Sequence, residues 1–459
     1  MKSLLILNFI SFFSFFCKAQ EWHSVYPYLN SNGGPVTIFC LHTYNNELFV
    51  GGGFIKAGSI PTKCIAKWDS VNWYALGTGV TFGGGGVKSI AVYNSLVYIG
   101  GEFSGINGNL TPNYFASWNG SELDSVSTNG EVNGQVYSLK VFNNKLFIGG
   151  RFPSVGGIIC GNIAQWDGST IADVGGGVSG GIMYVKAMAV YNNELYVGGN
   201  FYSAGGLPAY YIARWDGVQW RDVGGGVNAQ IYTMIVDTIE NALYIGGSFF
   251  NVGGGTINAR AIAKWNGNTW SNIGTGFNFE VFALGMYRGK LFAGGYYTTS
   301  GDSLQHFNHI AVWDGIKWDS LSNGVNGNVF AFEVYKDELY IGGDFTLAGG
   351  DSAYGLAKWY IHPDSVNVTT ELQASTKEQQ LKIYPNPTNG NITVEFTLPE
   401  KQKALLKIYN SKGELFRKFI VAENENQKNI DTSKWAKGVY YCVLEQKDKR
   451  FSQVKFIVE

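Results

Sequence analysis

An all-β fold, a seven-bladed β-propeller followed by a C-terminal antiparallel β-sandwich, is predicted by three features of the sequence. A short phrase returns seven times at nearly constant spacing. Glycine and aromatic residues crowd the first four-fifths of the chain. The composition then changes abruptly, with 59 of the 62 glycines lying before Leu381.

The phrase is Leu48–Phe54 (LFVGGGF), Val97–Phe103 (VYIGGEF), and their equivalents at Leu146–Phe152, Leu195–Phe201, Leu243–Phe249, Leu291–Tyr297 and Leu339–Phe345. Its first glycines, Gly51, Gly100, Gly149, Gly198, Gly246, Gly294 and Gly342, are spaced 49, 49, 49, 48, 48 and 48 residues apart. Each period reads as four short strands. In the third, Val136–Phe142 is an apolar strand a, Asn143-Asn144 a tight turn, and Leu146–Gly150 strand b. After a longer loop, Asn162–Trp166 is strand c, Asp167-Gly168 a hairpin turn, and strand d starts near Thr170. Four antiparallel strands per unit of this length make one propeller blade.

A second tryptophan follows the first by five residues in Trp68/Trp73, Trp215/Trp220, Trp265/Trp270 and Trp313/Trp318. The seventh unit has Trp359 but no strand d after it. The missing strand reads at the other end of the chain, where Glu21-Trp22-His23-Ser24-Val25 parallels Asn72-Trp73-Tyr74-Ala75-Leu76. Residues 21–25 are therefore expected to complete the last blade and close the ring, which leaves fewer open sheet edges. The double glycine, the Trp-Asp pair and the later tryptophan resemble kelch-type propeller repeats over about residues 21–362. The resemblance implies a propeller and a protein- or glycan-contacting platform, or an oxidase or sugar-acting enzyme; it does not choose among them.

The N-terminus reads as a signal peptide, residues 1–19. Lys2 is basic, Leu4–Phe16 is largely apolar and too short to span a bilayer, and Cys17-Lys18-Ala19 places cleavage before Gln20. Bulky Phe16 disfavours a lipoprotein reading of Cys17. No second apolar stretch of membrane length follows, so no transmembrane segment is expected. The net charge of −1 gives no electrostatic case for nucleic acid. Cys40, Cys64, Cys160 and Cys442 lack metal-type spacing. Cys40 takes a small-residue slot in strand a and is expected to be buried.

Residues 364–380 are polar, without glycine or aromatics, and read as a linker after a propeller spanning 20–363. Residues 381–459 form a separate domain with 14 Lys+Arg against 9 Asp+Glu. Alternation at Ile392, Val394 and Phe396 and through Leu405–Tyr409 suits half-buried strands. Its opening, Tyr384-Pro385-Asn386-Pro387 with Gly390, the hairpin around Gly413, and the strand after Gly438 resemble the C-terminal sorting domain of the type IX secretion system of Bacteroidetes. The resemblance implies a β-sandwich, the type IX machinery as partner, and a secreted or outer-membrane surface location.

No catalytic or metal constellation is expected, and no cofactor. Asp69, Asp167, Asp216 and Asp314 repeat with the blades and read as turn residues. The paired glycines lack the lysine and helix of a phosphate loop and read as close strand packing. His306 and His309 form an HxxH without supporting carboxylates.

The binding face is expected on the side of the long b–c and d–a connections, Ser104–Asn113, Tyr202–Tyr210, Asn251–Arg260 and Thr298–Asn308 among them. The residue after each glycine pair varies among near-constant neighbours. Glu102, Arg151, Asn200, Tyr296 and Asp344 at this position are the candidate contact residues ringing the channel mouth. The favoured function is a secreted or surface binding module for an unknown extracellular protein or glycan. The alternatives are an extracellular carbohydrate-active enzyme and a structural surface protein without a ligand.

Overall fold

The computed structural model describes residues 20–31, 35–108, 114–126, 132–361, 381–398, 402–410, 415–446 and 449–459. The expected signal peptide, the 364–380 linker, Gly413 and part of the Ser104–Asn113 loop lie outside these. The described residues are all-β and propeller-like. Seven four-stranded antiparallel sheets follow one another along residues 20–361. Sheet 4 is representative, with strand a Tyr184–Tyr191, b Glu194–Asn200, c Ile212–Trp215 and d Trp220–Arg221. Strand a of each sheet packs on strand a of the next. Strand a of sheet 7, Val329–Tyr335, packs on that of sheet 1, Thr37–Tyr44, so the a strands enclose an axial channel.

Strand d of sheet 7 is the N-terminal segment Gln20–Ser24, paired with Leu356–Ile361. Trp22 lies opposite Trp359, as Trp73 lies opposite Trp68 and Trp220 opposite Trp215. Each d tryptophan also reaches across to the preceding sheet: Trp22 Nε1 donates to Leu321 O at 3.2 Å, Trp220 to Val174 O at 2.8 Å and Trp270 to Val223 O at 3.0 Å. The second tryptophan is therefore an inter-sheet pin with its indole N–H satisfied in an apolar seam.

The double glycine has a sharper role than close packing. In every sheet strand a carries a β-bulge opposite it, as in sheet 4, where Val185 pairs with Gly199, Ala187 with Gly198, and Lys186 is left over. A Cβ on the second glycine would fall 2.0–2.2 Å from a carbonyl oxygen of its own strand a, for example Tyr184 O from Gly199 and Gln135 O from Gly150. A Cβ on the first would meet a branched side chain of the next sheet, such as Ile231 at 2.9 Å from Gly198. The pair thus seats a bulge on one side and a neighbouring sheet on the other.

Two local expectations are corrected. Six a–b turns are two-residue hairpins with both φ positive, such as Asn143 (46°) and Asn144 (56°). The c–d turns, in contrast, are four residues long. In Asp167–Thr170 the Asp167 Oδ1 accepts from the N–H groups of Ser169 (2.8 Å) and Thr170 (2.7 Å), and only Gly168 is left-handed. The aspartate side chain thus reinforces a turn that the backbone also closes, Asp167 N donating to Thr170 O at 3.2 Å. Cys40 is half-buried rather than buried; its thiol lies in the seam with sheet 2, 3.8 Å from Val87 O.

The long connections are better ordered than loops. Several b–c segments fold into small hairpins, such as Ser203–Ala204 with Leu207–Pro208, and build up one face of the ring. On the other face the a–b turn of sheet 5 is enlarged. Its Glu240 accepts from Tyr244 Oη at 2.7 Å and meets Lys418 of the C-terminal domain at 3.2 Å, with the two side chains only 11% and 2% exposed. Burial works to raise the Glu240 pKa, but Lys418, Tyr244 and Lys264 hold it below its usual value. The same ammonium donates to Gly289 O at 3.1 Å. Among the described residues, the C-terminal domain therefore makes its contacts with the short-turn face.

That domain is a sandwich of a three-stranded and a four-stranded antiparallel sheet around Ile392, Val394, Leu406, Ile408, Cys442 and Phe456. Asn386 ties its opening turn to the last strand, donating to Lys455 O and accepting from Ile457 N, both at 3.0 Å. Tyr384 is exposed and its hydroxyl donates to Glu395 at 3.0 Å.

Candidate functional site

The bulges decide what faces the channel. A bulged residue has no ladder partner, and its side chain is turned out of the sheet. The seven are Phe39, Lys88, Tyr137, Lys186, Tyr232, Phe282 and Phe330, all half-buried. They touch one another around the axis, which places them in one tier. Lys88 Nζ lies 3.2 Å from the centroid of Phe39, Phe39 and Phe330 are 5.6 Å apart, Phe330 and Phe282 5.4 Å, and Phe282 and Tyr232 5.3 Å. On the other side Lys186 Nζ stands 4.4 Å from the Tyr137 centroid, and Tyr137 meets Tyr184 edge-on at 5.9 Å. Tyr184 and Tyr232 share Gln230 as hydrogen-bond acceptor, which links sheets 4 and 5. The result is a belt of five aromatic rings and two ammonium groups.

Burial pulls the Lys186 pKa down to about 8, reinforced by Lys88 and opposed by Glu102. Burial lowers Lys88 as well, against the pull of Glu102. The Tyr137 phenol is pushed up, first by burial and then by Glu102. These groups form one electrostatic unit. A second tier lies three residues further along strand a. It holds His42, Lys140 and Glu333 among Ala91, Ala189, Ile235 and Gly285. Glu333 accepts from Thr43 N at 2.9 Å, and burial raises its pKa while lowering those of His42 and Lys140.

The candidate residues after the glycine pairs occupy the ends of the b strands, beside the first residues of the a strands. They fall into two groups. Glu102 lies across Gly85, where a Cβ would be 1.9 Å from its Oε2, and acts on Lys88, Lys186 and Tyr137. Arg151 is exposed and acts on Tyr137 and Tyr184. Tyr296 is 51% exposed and leans on Phe279, with centroids 5.5 Å apart. Asn200 and Asp344 face inward to the protein instead. Asn200 is buried and its Oδ1 accepts from Ile182 N at 3.1 Å. Asp344 takes Asn328 N at 2.5 Å and Asn328 Nδ2 at 2.9 Å. Both hold the start of strand a in place rather than reaching out of the mouth.

Sequence reasoning missed the belt. The available signal was the residue just before the small-residue slot of strand a (Cys40, Ser89, Ser138, Ala187, Thr233, Ala283 and Ala331), where only lysine and aromatic residues occur between near-constant neighbours. Among the described residues no three His, Cys, Asp or Glu side chains are grouped as a metal site, and His309 Nδ1 lies 3.2 Å from Gly295 O.

Residues 382–459 match the family described as the secretion system C-terminal sorting domain. The tail is thus a type IX sorting domain, and the protein is exported to the cell surface or secreted. No curated protein matches the chain. A solved structure described as a novel fungal alcohol oxidase of the AA5 family in complex with copper aligns with a TM-score of 0.41 and 13% identity, covering 96% of this chain and 99% of that one. Removal of Leu381–Glu459 is expected to leave a folded propeller confined to the periplasm, because the tail has its own core. Surface labelling and cell fractionation check this, and normal surface display of the truncated chain would contradict it.

Proposed function

We propose that the protein is an exported binding module with a kelch-like seven-bladed propeller, which engages an extracellular ligand at the channel mouth on its long-loop face. The observation that carries this reading is the position of Glu102, Arg151 and Tyr296. All three follow a glycine pair, stand at the mouth above the belt, and share it with loop hairpins whose sequences differ from sheet to sheet. Asn200 and Asp344 support the same rim from beneath. The C-terminal domain touches the opposite face, which leaves the mouth accessible during and after export. Varied surface on a rigid frame is the usual setting of recognition.

Binding is favoured over carbohydrate hydrolysis by the arrangement of charge. Of the carboxylates that act on channel groups, Glu102 works on Lys88, Lys186 and Tyr137, Glu280 on Tyr232, and Glu333 stands one tier below beside Lys140; no two of them act on the same group, as a pair flanking one bond site would. The reading is tested by passing the full-length protein over arrays of acidic and neutral glycans and of extracellular proteins. Retention by one class is expected. Retention by none would support a structural surface protein, and turnover of a glycan would support the enzyme.

A further inference from the structure

We propose that the belt is a subsite for an acidic saccharide, with an anionic substituent held between Lys88 and Lys186 and the sugar ring lying against the aromatic faces. This deepens the binding reading above and rests on it. Three observations lead to it. First, the only bulged residues that are not aromatic are the two lysines, and each is set over a ring, Lys88 on Phe39 and Lys186 on Tyr137. A cation over a ring face remains available to an anion approaching along the channel, and the ring attraction keeps it in place. Second, the five rings are half-buried, so each keeps part of its surface uncovered. A ligand matching both features needs a flat apolar side and a negative charge, which a uronic or sulfated pyranose has and a neutral sugar lacks. Third, Lys88, Lys186 and Arg151 are gathered on sheets 2–4 with Glu102 as the acid that acts on both belt lysines, while Lys140, one tier down, already has Glu333 as its counter-charge. An anion entering there adds to one carboxylate and faces several cations, a balance that favours it.

The lysines are costly in this setting. Burial lowers both, and Lys186 is brought to about 8 with Lys88, Glu102, Tyr137, Tyr184 and Arg151 around it. A purely structural belt would be satisfied by seven aromatic residues, as five of the seven sheets already are. Two ammonium groups in a partly desolvated ring make sense for a ligand that supplies the missing counter-charge.

The test uses the full-length protein with three probes of equal length: an oligogalacturonate, a sulfated oligosaccharide and a neutral oligosaccharide, with poly-glutamate as a non-saccharide anion. Affinities are measured by calorimetry for the native protein and for Lys88→Met, Lys186→Met and Lys186→Arg, with the melting temperature as a folding check. An acidic saccharide should bind while the neutral one does not, and either methionine variant should weaken it roughly tenfold or more. The arginine variant should keep most of the affinity. Binding should also weaken between pH 7 and pH 9 as Lys186 loses its proton, and the Lys186→Arg variant should lack that pH dependence. The carboxylate and sulfate arms identify which anion fits. Equal binding of the neutral probe, tighter binding of poly-glutamate, or methionine variants that bind like the native protein would overturn the subsite. In the last case, loss of binding in Arg151→Ala with Tyr296→Ala would leave the mouth reading standing without it. If a methionine variant fails to fold, the arginine variant and its pH profile decide the matter alone.

Discussion

Gly199→Ala is expected to cost about 3 kcal/mol or more of stability, a large loss for the addition of a single methyl group. The new Cβ would lie 2.0 Å from Tyr184 O and 3.0 Å from its carbonyl carbon. Both belong to the backbone, so strand a must move or the bulge must be lost. Gly198→Ala is the informative comparison. Its Cβ would meet Met234 Cε at 2.4 Å and Ile231 Cγ2 at 2.9 Å, which are side-chain atoms, and the methionine end can swing away. The second glycine should therefore be the more damaging position of the pair. Denaturant unfolding of the two variants measures the difference. Equal losses would mean that the bulge is not what the double glycine secures. Because the bulge carries Lys186, the Gly199 variant should also disturb the channel, whereas a simple packing defect between sheets would leave it intact.

Trp22→Ala should destabilise the propeller by about 3–5 kcal/mol, as large a loss as in the middle of the ring although the residue stands near the chain start. Trp22 is 7% exposed, packs edge-on against Trp359 with centroids 4.9 Å apart, and donates to Leu321 O of sheet 6. Its loss removes buried apolar area, one inter-sheet hydrogen bond and the anchor of the strand that pairs with Leu356–Ile361. Deletion of Gln20–Ser24 should do more harm, because the edge of sheet 7 is then left unpaired. Calorimetry of the variant beside Trp220→Ala, which has the equivalent place in sheet 4, checks the claim. A much smaller effect at Trp22 would mean that the ring does not depend on its closing strand.

The period, the tryptophan pairs and the tail were legible because they repeat, or because they sit on short motifs with fixed roles. Four residues between Trp215 and Trp220 place the two rings opposite each other, and that spacing is visible in each of the four units that carry the pair. The asparagine pairs at Asn143-Asn144 and Asn192-Asn193 state their turn type directly. The bulge was not legible. Its residue is lysine in two sheets and aromatic in five, so neither identity nor alternation marks it, and a regular strand would have sent these side chains into the seams between sheets. The double glycine was visible, but its meaning depends on which carbonyl lies opposite, which is a matter of register. The candidate residues divided for a similar reason. Arg151 and Asn200 have the same place in the repeat, yet Asn200 is short enough to turn back and accept from Ile182 N, whereas Arg151 extends past the rim. Side-chain length decided which of these residues reach solvent.

If recognition belongs to the long-loop face, as proposed, two variants of the full-length protein should differ in retention on the same glycan and protein arrays. One carries Glu102→Ala, Arg151→Ala and Tyr296→Ala at the mouth. The other carries Val71→Ser and Val218→Ser in the short c–d turns of the opposite face, where the two valines are 69% and 83% exposed. Both sets leave the buried seams untouched, so melting temperatures should stay close to that of the native protein. The mouth variant should lose retention while the opposite-face variant binds like the native protein. Retention by the mouth variant, or its loss in the opposite-face variant alone, would contradict that placement.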